Sequence, residues 1–132
     1  MRYWLDTNVL LRLVTKSPPE LFERALALVE QAERGGLSLA VHPLHVAEAT
    51  YVLRSLYAYT REEIRRELGI VLSLEALTVH DEENVLAALD LMAERNVDFD
   101  DAYLTRWAAA HGDGVASFDR DYGRLSVPHL AP

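Results

Sequence analysis

The chain has 132 residues, of which 50% are hydrophobic and 26% charged, so we expect a single soluble domain spanning residues 1–132. It has no cysteine, which excludes disulfides, thiolate metal sites and cysteine nucleophiles. Asp and Glu number 21 against 13 Lys and Arg, and the formal net charge of −8 argues against binding nucleic acid by bulk attraction. The same excess of acid leaves room for a site that binds divalent cations.

The chain begins Met-Arg-Tyr-Trp and goes directly into strand-like sequence, with no secretory signal in view. No apolar run approaches the roughly 20 residues that a membrane helix needs. We therefore expect a cytoplasmic protein without a membrane segment.

Apolar spacing and turn residues predict strands that alternate with one or two helices. The predicted elements, in chain order, are a strand over 3–6, helices over about 9–14 and 19–34, a strand over 37–41, helices over about 43–57 and 61–73, a strand over 77–79, helices over about 82–96 and 99–110, and a strand over 115–118. This alternation predicts a three-layer α/β/α sandwich around one short central parallel sheet. Ligands of such sheets bind beyond the carboxyl ends of the strands, where Asp6 and Asp119 fall.

Asp6 lies between apolar residues, where a bare buried carboxylate would be costly. It is either the N-cap of the following helix or a functional group, and position alone favours neither, since Thr7 or Asn8 could also cap that helix. Glu48 falls beside the apolar stripe of its predicted helix. It is a boundary residue whose stem covers the core, the favoured interpretation, or a ligand that reaches toward the sheet edge.

Three acids come together in the stretch NVDFDDAYL, and they are Asp98, Asp100 and Asp101. Asp98 is the better N-cap, and acids in the first turn of a helix suit its macrodipole. Asp101 has helical spacing with Thr105 and Ala108, which points it inward and makes it the better ligand candidate.

Asp119 ends the last predicted strand, and it either caps a short turn or lies level with Asp6 if their strands are neighbours. Each candidate acid has a structural explanation of its own, but all four map to one edge of the predicted sheet. Gathering so many carboxylates is costly unless a divalent cation neutralises them. An all-oxygen site suits Mg²⁺ or Mn²⁺.

Four stretches in this order resemble the PIN-domain family, and more closely its VapC-type ribonuclease toxins. They are Asp6-Thr-Asn8, Glu48 in HVAEATYVL, Asp101 in DFDDAYL, and Ser117-Phe-Asp119 in ASFDRDY. None of them is specific alone, but four in order within 132 residues are a strong signal. The resemblance implies an α/β/α sandwich with metal-dependent endonuclease activity on RNA.

Carried over residue by residue, the resemblance makes four acids the metal site: Asp6, Glu48, Asp101 and Asp119. Asn8 and Ser117 match polar positions that orient these acids, and Asp121 is an additional acid. Bound Mg²⁺ or Mn²⁺ would hold the scissile phosphate and activate a water for in-line attack. Such cleavage needs no ribose 2′-hydroxyl as nucleophile, and the family expectation is a 5′-phosphate product.

Arginines must offset the acidic balance where RNA binds, and each is also explained as solvated surface. The candidates near the site segments are Arg12, Arg54, Arg106 and Arg120. The five histidines need no catalytic part, and partly exposed structural roles are expected for His42 and His45.

The resemblance also implies a homodimer and a cognate antitoxin whose tail occludes the acidic groove. An apolar and aromatic segment, with Leu53, Leu56, Tyr57 and Tyr59, fits a dimer or antitoxin surface, and interior packing explains much of it equally well.

Three other classes of protein are alternatives to the nuclease. The main alternative is a PIN-like RNA- or protein-binding scaffold with little nuclease activity. A phosphoacceptor signalling domain should offer a lysine at a late strand end, but the only lysine is the early Lys16. A haloacid-dehalogenase-type phosphatase would place Asp-x-Asp after the first strand, where Asn8 occupies the second slot.

Overall fold

A computed structural model describes residues 1–132 of the chain. Its strands are β1 (Arg2–Trp4), β2 (Ser38–Val41), β3 (Leu77–Val79), β4 (Val115–Ala116) and β5 (His129–Leu130). Its helices are α1 (Thr7–Thr15), α2 (Pro19–Glu33), α3 (Pro43–Ser55), α4 (Arg61–Leu72), α5 (Glu82–Arg95) and α6 (Phe99–Ala110), and a 3₁₀ turn covers Arg120–Arg124. The predicted α/β class with short parallel strands is confirmed.

The chain divides into two compact units, Met1–Glu82 and Glu83–Pro132. The boundary falls at the first residue of α5. The single domain expected from the composition stays a prediction, and each unit is described by itself.

The first unit contains a parallel sheet in the order β1-β2-β3. Tyr3 is paired with Leu39, which is paired in turn with Leu77. The ladder extends one residue past the strands on each side of β2, because Leu5 N–H donates to Ala40 O at 2.8 Å and His80 N–H donates to Val41 O at 2.9 Å. Since all three strands run the same way, their carboxyl ends share one edge, and Asp6 follows β1 there.

Buried side chains at helical spacing set the direction of Glu48 on α3. Val46, Ala49 and Leu53 are fully buried, at 0% exposure, and they form one stripe along this helix. Glu48 lies beside the stripe, as the sequence predicted, and its side chain is exposed. Burying a side chain such as Leu53 stabilises the fold by roughly 1.5–3 kcal/mol. The position of Glu48 is therefore fixed by its apolar neighbours.

Side chains that close their first turns begin two helices of this unit. His42 Nδ1 accepts a hydrogen bond from Leu44 N–H at 3.0 Å at the start of α3. The stretch Thr60-Arg-Glu-Glu63, whose sequence is typical of a capping box, forms one at the start of α4, since each of the two end side chains accepts the other's backbone N–H at 3.0 Å.

The second unit holds a separate two-stranded parallel ladder, in which Val115 is paired with His129. The expectation of one sheet that includes residues 115–118 is wrong, because this segment pairs with β5, a strand that the sequence analysis did not predict. β5 has two residues and no alternation long enough to read. Gly114 permits the pairing, since a Cβ there would lie 2.7 Å from the carbonyl oxygen of Pro128.

Helix α6 begins at Phe99 and ends at Ala110, with the bounds that the sequence predicted. Phe99, Ala102 and Thr105 are buried along one face. Asp101 lies next to this face and is half-buried, whereas Asp98 and Asp100 are exposed. Asp98 occupies the N-cap position, as predicted, but its side chain makes no capping hydrogen bond.

None of the helices combines the length and the apolar character that a bilayer crossing requires.

Candidate active site

Asp6 caps α1 and stays open to solvent. Its backbone is extended, and its Oδ1 accepts a hydrogen bond from Thr7 N–H at 2.8 Å. Oδ2 lies 3.4 Å from Nδ2 of Asn8, which is the contact expected of a supporting amide. The side chain is 67% exposed. The capping role that the sequence left open is therefore real, and it leaves lone pairs on both oxygens for a further ligand.

Thr7 connects two helices of the first unit through its hydroxyl. The residue is 4% exposed, and its Oγ1 lies 2.8 Å from Nδ1 of His45 and 2.9 Å from Oε2 of Glu48. Nδ1 of His45 is also 3.7 Å from Oδ1 of Asp6 and 3.8 Å from Oε2 of Glu48. The structure thus brings Asp6 and Glu48 around one imidazole.

The sequence analysis missed the place of His45 beside these acids. A signal was present, because residues three apart on a helix share a face, and His45 precedes Glu48 by three positions. The bond to Thr7 had no such signal, since 38 residues separate the two side chains.

A cavity of about 500 Å³ lies between α1 and α2 of the first unit. It is lined by Asn8, Val9, Arg12, Leu21, Arg24, Ala25 and Leu28. Asn8, which lines the cavity, is also the residue whose amide lies 3.4 Å from Asp6. Arg12 donates from Nη1 to the carbonyl oxygen of Ser17 at 2.8 Å, which fixes its guanidinium along the wall. Arg24 is a second lining cation, and the sequence analysis did not single it out.

Asp101 is the partly buried acid of the second unit. Its Oδ1 accepts a hydrogen bond from the Tyr122 hydroxyl at 2.9 Å. Burial raises the pKa of Asp101; the Tyr122 bond opposes this shift, and the negative charges of Asp100, Asp119 and Asp98 add to it. A nearby cation would favour the ionised form of this carboxyl.

Tyr122 is buried, at 5% exposure, and burial is the main cause that raises the pKa of its hydroxyl. The adjacent Asp101 carboxylate raises that pKa further. The phenol therefore stays protonated and keeps donating to Asp101. Sequence reasoning missed Tyr122, because 21 residues separate it from its partner.

Asp119 caps the 3₁₀ turn with Oδ1, which accepts Asp121 N–H at 2.8 Å. Ser117 Oγ accepts Asp119 N–H at 2.9 Å, so this serine holds the backbone of the acid. Asp121 is paired with Arg124, whose Nη2 lies 2.9 Å from its Oδ1. The additional acid expected at Asp121 thus has its charge balanced by an arginine.

Comparison with known proteins decides the family. The family model described as the PIN domain matches residues 3–128 of the chain.

The chain belongs to the PIN-domain family.

The resemblance read from the four acidic stretches is confirmed at this level. Among solved structures, the chain is similar to one titled as the crystal structure of VapBC2 from Rickettsia felis bound to a DNA fragment from their promoter. The identity is 18%, the TM-score is 0.42, and the alignment covers 99% of this chain and 98% of that chain. None of the curated proteins matches the sequence significantly.

The donor atoms of this PIN domain fit a hard divalent cation in their chemistry. The candidate ligands offer carboxylate oxygens, and neither Asp6 nor Glu48 is paired with a lysine or arginine. Burial is the main cause that raises the pKa of Asp101, and the negative charges of Asp100, Asp119 and Asp98 raise it further. No group of three or more His, Asp or Glu side chains is arranged so that it could hold a metal ion. The four-acid metal site therefore stays a prediction.

The other candidate arginines of the PIN domain differ in exposure. Arg54 and Arg120 are exposed, and Arg106 is half-buried with an Nε that has no hydrogen-bond partner.

The apolar segment suggested as a dimer or antitoxin surface is only partly on the surface of the PIN domain. Of the two explanations left open for this segment, interior packing holds for Leu53, because its helical phase places it in the core at 0% exposure. Leu56 is 78% exposed, and Tyr57 is exposed as well. Leu44 and Tyr51 add exposed apolar area on α3.

Proposed function

We propose that this PIN domain is a metal-dependent endoribonuclease that hydrolyses RNA phosphodiester bonds, and that it is the toxin of a type II toxin–antitoxin pair. The observation that carries the nuclease proposal is the PIN family match over residues 3–128, which spans all four candidate acids. The toxin role is supported by the likeness of the four acidic stretches to VapC-type toxins. The scaffold alternative shares the fold and differs in having little cleavage activity.

We assign the metal to Mg²⁺ or Mn²⁺ and its ligands to Asp6, Glu48, Asp101 and Asp119. When bound, such a cation supplies positive charge for the phosphate and a water of lowered pKa. The chain's own residues order these acids. Thr7 directs its hydroxyl at Glu48, Tyr122 holds Asp101, and Ser117 anchors the backbone of Asp119.

Phosphates need cations from the protein as well, because the chain is acidic overall. Arg12 and Arg24 line the cavity that begins at Asn8, so a strand of RNA lying there would meet positive charge beside Asp6. Arg54, Arg106 and Arg120 remain further candidates for phosphate contacts.

The partners proposed with this function are RNA as substrate, a cognate antitoxin and a second copy of the chain, in the cytoplasm. The exposed apolar side chains Leu44, Tyr51 and Leu56 on and just after α3 support a protein-binding surface. The structure from Rickettsia felis is, by its title, a VapBC2 complex with promoter DNA.

The test is cleavage of single-stranded RNA by metal-free protein to which Mg²⁺ or Mn²⁺ is added. We expect cleavage only with the cation, and a loss of about 100-fold or more in Asp6→Asn and Asp101→Asn. Asp113→Asn is the matched control, because Asp113 is an exposed acid outside the candidate site, and it should cleave at the wild-type rate. RNA binding without cleavage would favour the scaffold, and equal cleavage by all variants would contradict the assigned site.

A further inference from the structure

Three side chains from two helices of the first unit form one hydrogen-bond network. Thr7 stands at the start of α1, and His45 and Glu48 stand one turn apart on α3. The two bonds to the threonine oxygen measure 2.8 Å and 2.9 Å, which are ordinary hydrogen-bond lengths, and they join side chains 38 and 41 residues apart. Thr7 is buried, so neither bond is exchanged freely with water.

Counting protons shows which atom donates and which accepts in each hydrogen bond of this network. A carboxylate only accepts hydrogen bonds, so the single hydroxyl proton of Thr7 is directed at Oε2 of Glu48. The Thr7 oxygen then has only lone pairs left for its other neighbour. Nδ1 of His45 must therefore carry a hydrogen and donate it to Thr7. An Nδ1 used in this way has no lone pair for a metal ion.

We propose that His45 is a positioning residue, which acts through Thr7 to hold the Glu48 carboxylate in the orientation that binds the cation. The proposal rests on the proposed function, since it takes Glu48 as a metal ligand. Glu48 needs such support because its side chain is 57% exposed and has no other polar partner than Thr7 and the nearby imidazole. Ordering an exposed glutamate before the ion arrives lowers the entropy lost on binding.

The same N–H group lies near both acids of this unit. Oδ1 of Asp6 is 3.7 Å from Nδ1 of His45, too far for a hydrogen bond but close enough for attraction to its positive end. The imidazole thus reduces the repulsion between Asp6 and Glu48 without using up either carboxylate.

Two other roles for His45, as a metal ligand or as a residue that only stabilises the fold, predict different effects of its substitution. If His45 were itself a ligand, it would bind the ion through Nε2, or through Nδ1 after leaving Thr7, and an amide in its place would bind the ion poorly. If the hydrogen bonds among Thr7, His45 and Glu48 only stabilised the fold, their loss would lower the melting temperature without changing the affinity for the cation. Positioning residues around metal ligands are worth about 10–100-fold in metal affinity.

The test compares paired substitutions in the full chain. His45→Asn keeps an N–H close to the place of Nδ1, and His45→Leu removes it. Thr7→Ser keeps the hydroxyl, and Thr7→Val removes it. His111→Leu is the control for the loss of an imidazole, because His111 belongs to the second unit and its Nδ1 lies 2.7 Å from the carbonyl oxygen of Trp107, away from the candidate acids of the first unit.

Mn²⁺ affinity, read by electron paramagnetic resonance, is the main measurement. We expect His45→Leu and Thr7→Val to weaken binding about tenfold, and His45→Asn and Thr7→Ser to recover most of that loss. The double variant Thr7→Val/His45→Leu should lose no more Mn²⁺ affinity than either single variant, since both substitutions break the same hydrogen-bond network. Wild-type affinity in His45→Leu, or equal losses in His45→Asn and His45→Leu, would overturn the proposal.

A second measurement separates this inference from the nuclease assignment. The ¹⁵N spectrum of the His45 ring, recorded without metal in alkaline buffer, reports which nitrogen carries the hydrogen. We expect Nδ1–H, and an Nε2–H ring would overturn the positioning role while leaving the ribonuclease proposal intact. A ring with Nδ1–H in a wild-type protein that neither binds Mn²⁺ nor cleaves RNA would overturn the proposed function and the positioning role with it.

Discussion

In the first unit, Asp6 and Glu48 expose more than half of their side chains to water and lie beside an imidazole N–H. In the second unit, Asp101 is half-buried, has acids around it, and has a raised pKa. Water and a polar neighbour offset charge in the first case, whereas in the second case the ionised form is partly desolvated. The two units therefore present their candidate acids at different energetic cost.

The hydrophobic cores of the two units, unlike their acids, should contribute equally to stability. Leu53 in the first unit and Met92 in the second are both almost fully buried, so Leu53→Ala and Met92→Ala should each lower the free energy of unfolding by about 3 kcal/mol. Urea denaturation of both variants measures this. A cost below 1 kcal/mol for one of them would show that its unit is packed less tightly than the structure indicates.

Activity should not distinguish the units either. Glu48→Gln keeps the hydrogen bond from Thr7 but removes a charged ligand, so we expect RNA cleavage to fall about 100-fold, as for Asp101→Asn. Single-turnover cleavage with Mg²⁺ or Mn²⁺ measures the loss. Glu30→Gln, at an exposed acid on α2, is the matched control and should cleave normally. A fully active Glu48→Gln would remove the first unit's glutamate from the site.

Local structure away from the acids gives a smaller effect. Thr60→Ala removes the hydroxyl that accepts Glu63 N–H at the start of α4, and it should cost about 1 kcal/mol of stability. Thermal unfolding of the variant measures this cost. The matched variant Thr60→Ser keeps the cap and should be close to wild type, so equal losses in both would speak against the capping role.

The charge of Asp101, in the second unit, should lower the stability of the metal-free protein. Because the pKa of Asp101 is raised in the folded state, its contribution to stability is fully present below its unfolded pKa and is lost as the pH rises through the folded pKa. Asn does not titrate, so Asp101→Asn should melt about 2 °C above wild type at neutral pH, a small shift since the carboxyl keeps part of its solvation.

This difference between Asp101→Asn and wild type should vanish when the pH is lowered until Asp101 is protonated. Scanning calorimetry of the metal-free proteins across pH measures it. A gain that grew as the pH fell would have the wrong sign for a raised pKa.

Short-range signals explain what the sequence predicted well. The bounds of α6, the capping box at Thr60 and the place of Glu48 beside the apolar stripe all follow from patterns within one or two helical turns. The family resemblance also depended on short stretches, and residues 3–128 match the PIN domain.

Long-range pairings explain what the sequence analysis missed. The bond from Tyr122 to Asp101 and the bond between Thr7 and His45 join residues 21 and 38 positions apart, and no local period encodes them. The pairing of β4 with β5 depends on the close approach of Gly114 to Pro128, which only the folded backbone reveals. These contacts decide how the candidate acids are oriented. The acids and the supporting residues Asn8 and Ser117 could be proposed from the sequence, whereas Thr7, His45 and Tyr122 could not.

Binding of Mn²⁺ to the metal-free chain is the most direct test of the claim that these acids serve a cation. We expect wild type and Asp113→Asn to bind with equal affinity, and Asp6→Asn and Asp101→Asn each to bind at least about tenfold more weakly. Identical affinities in all four proteins, or no binding to wild type, would contradict it.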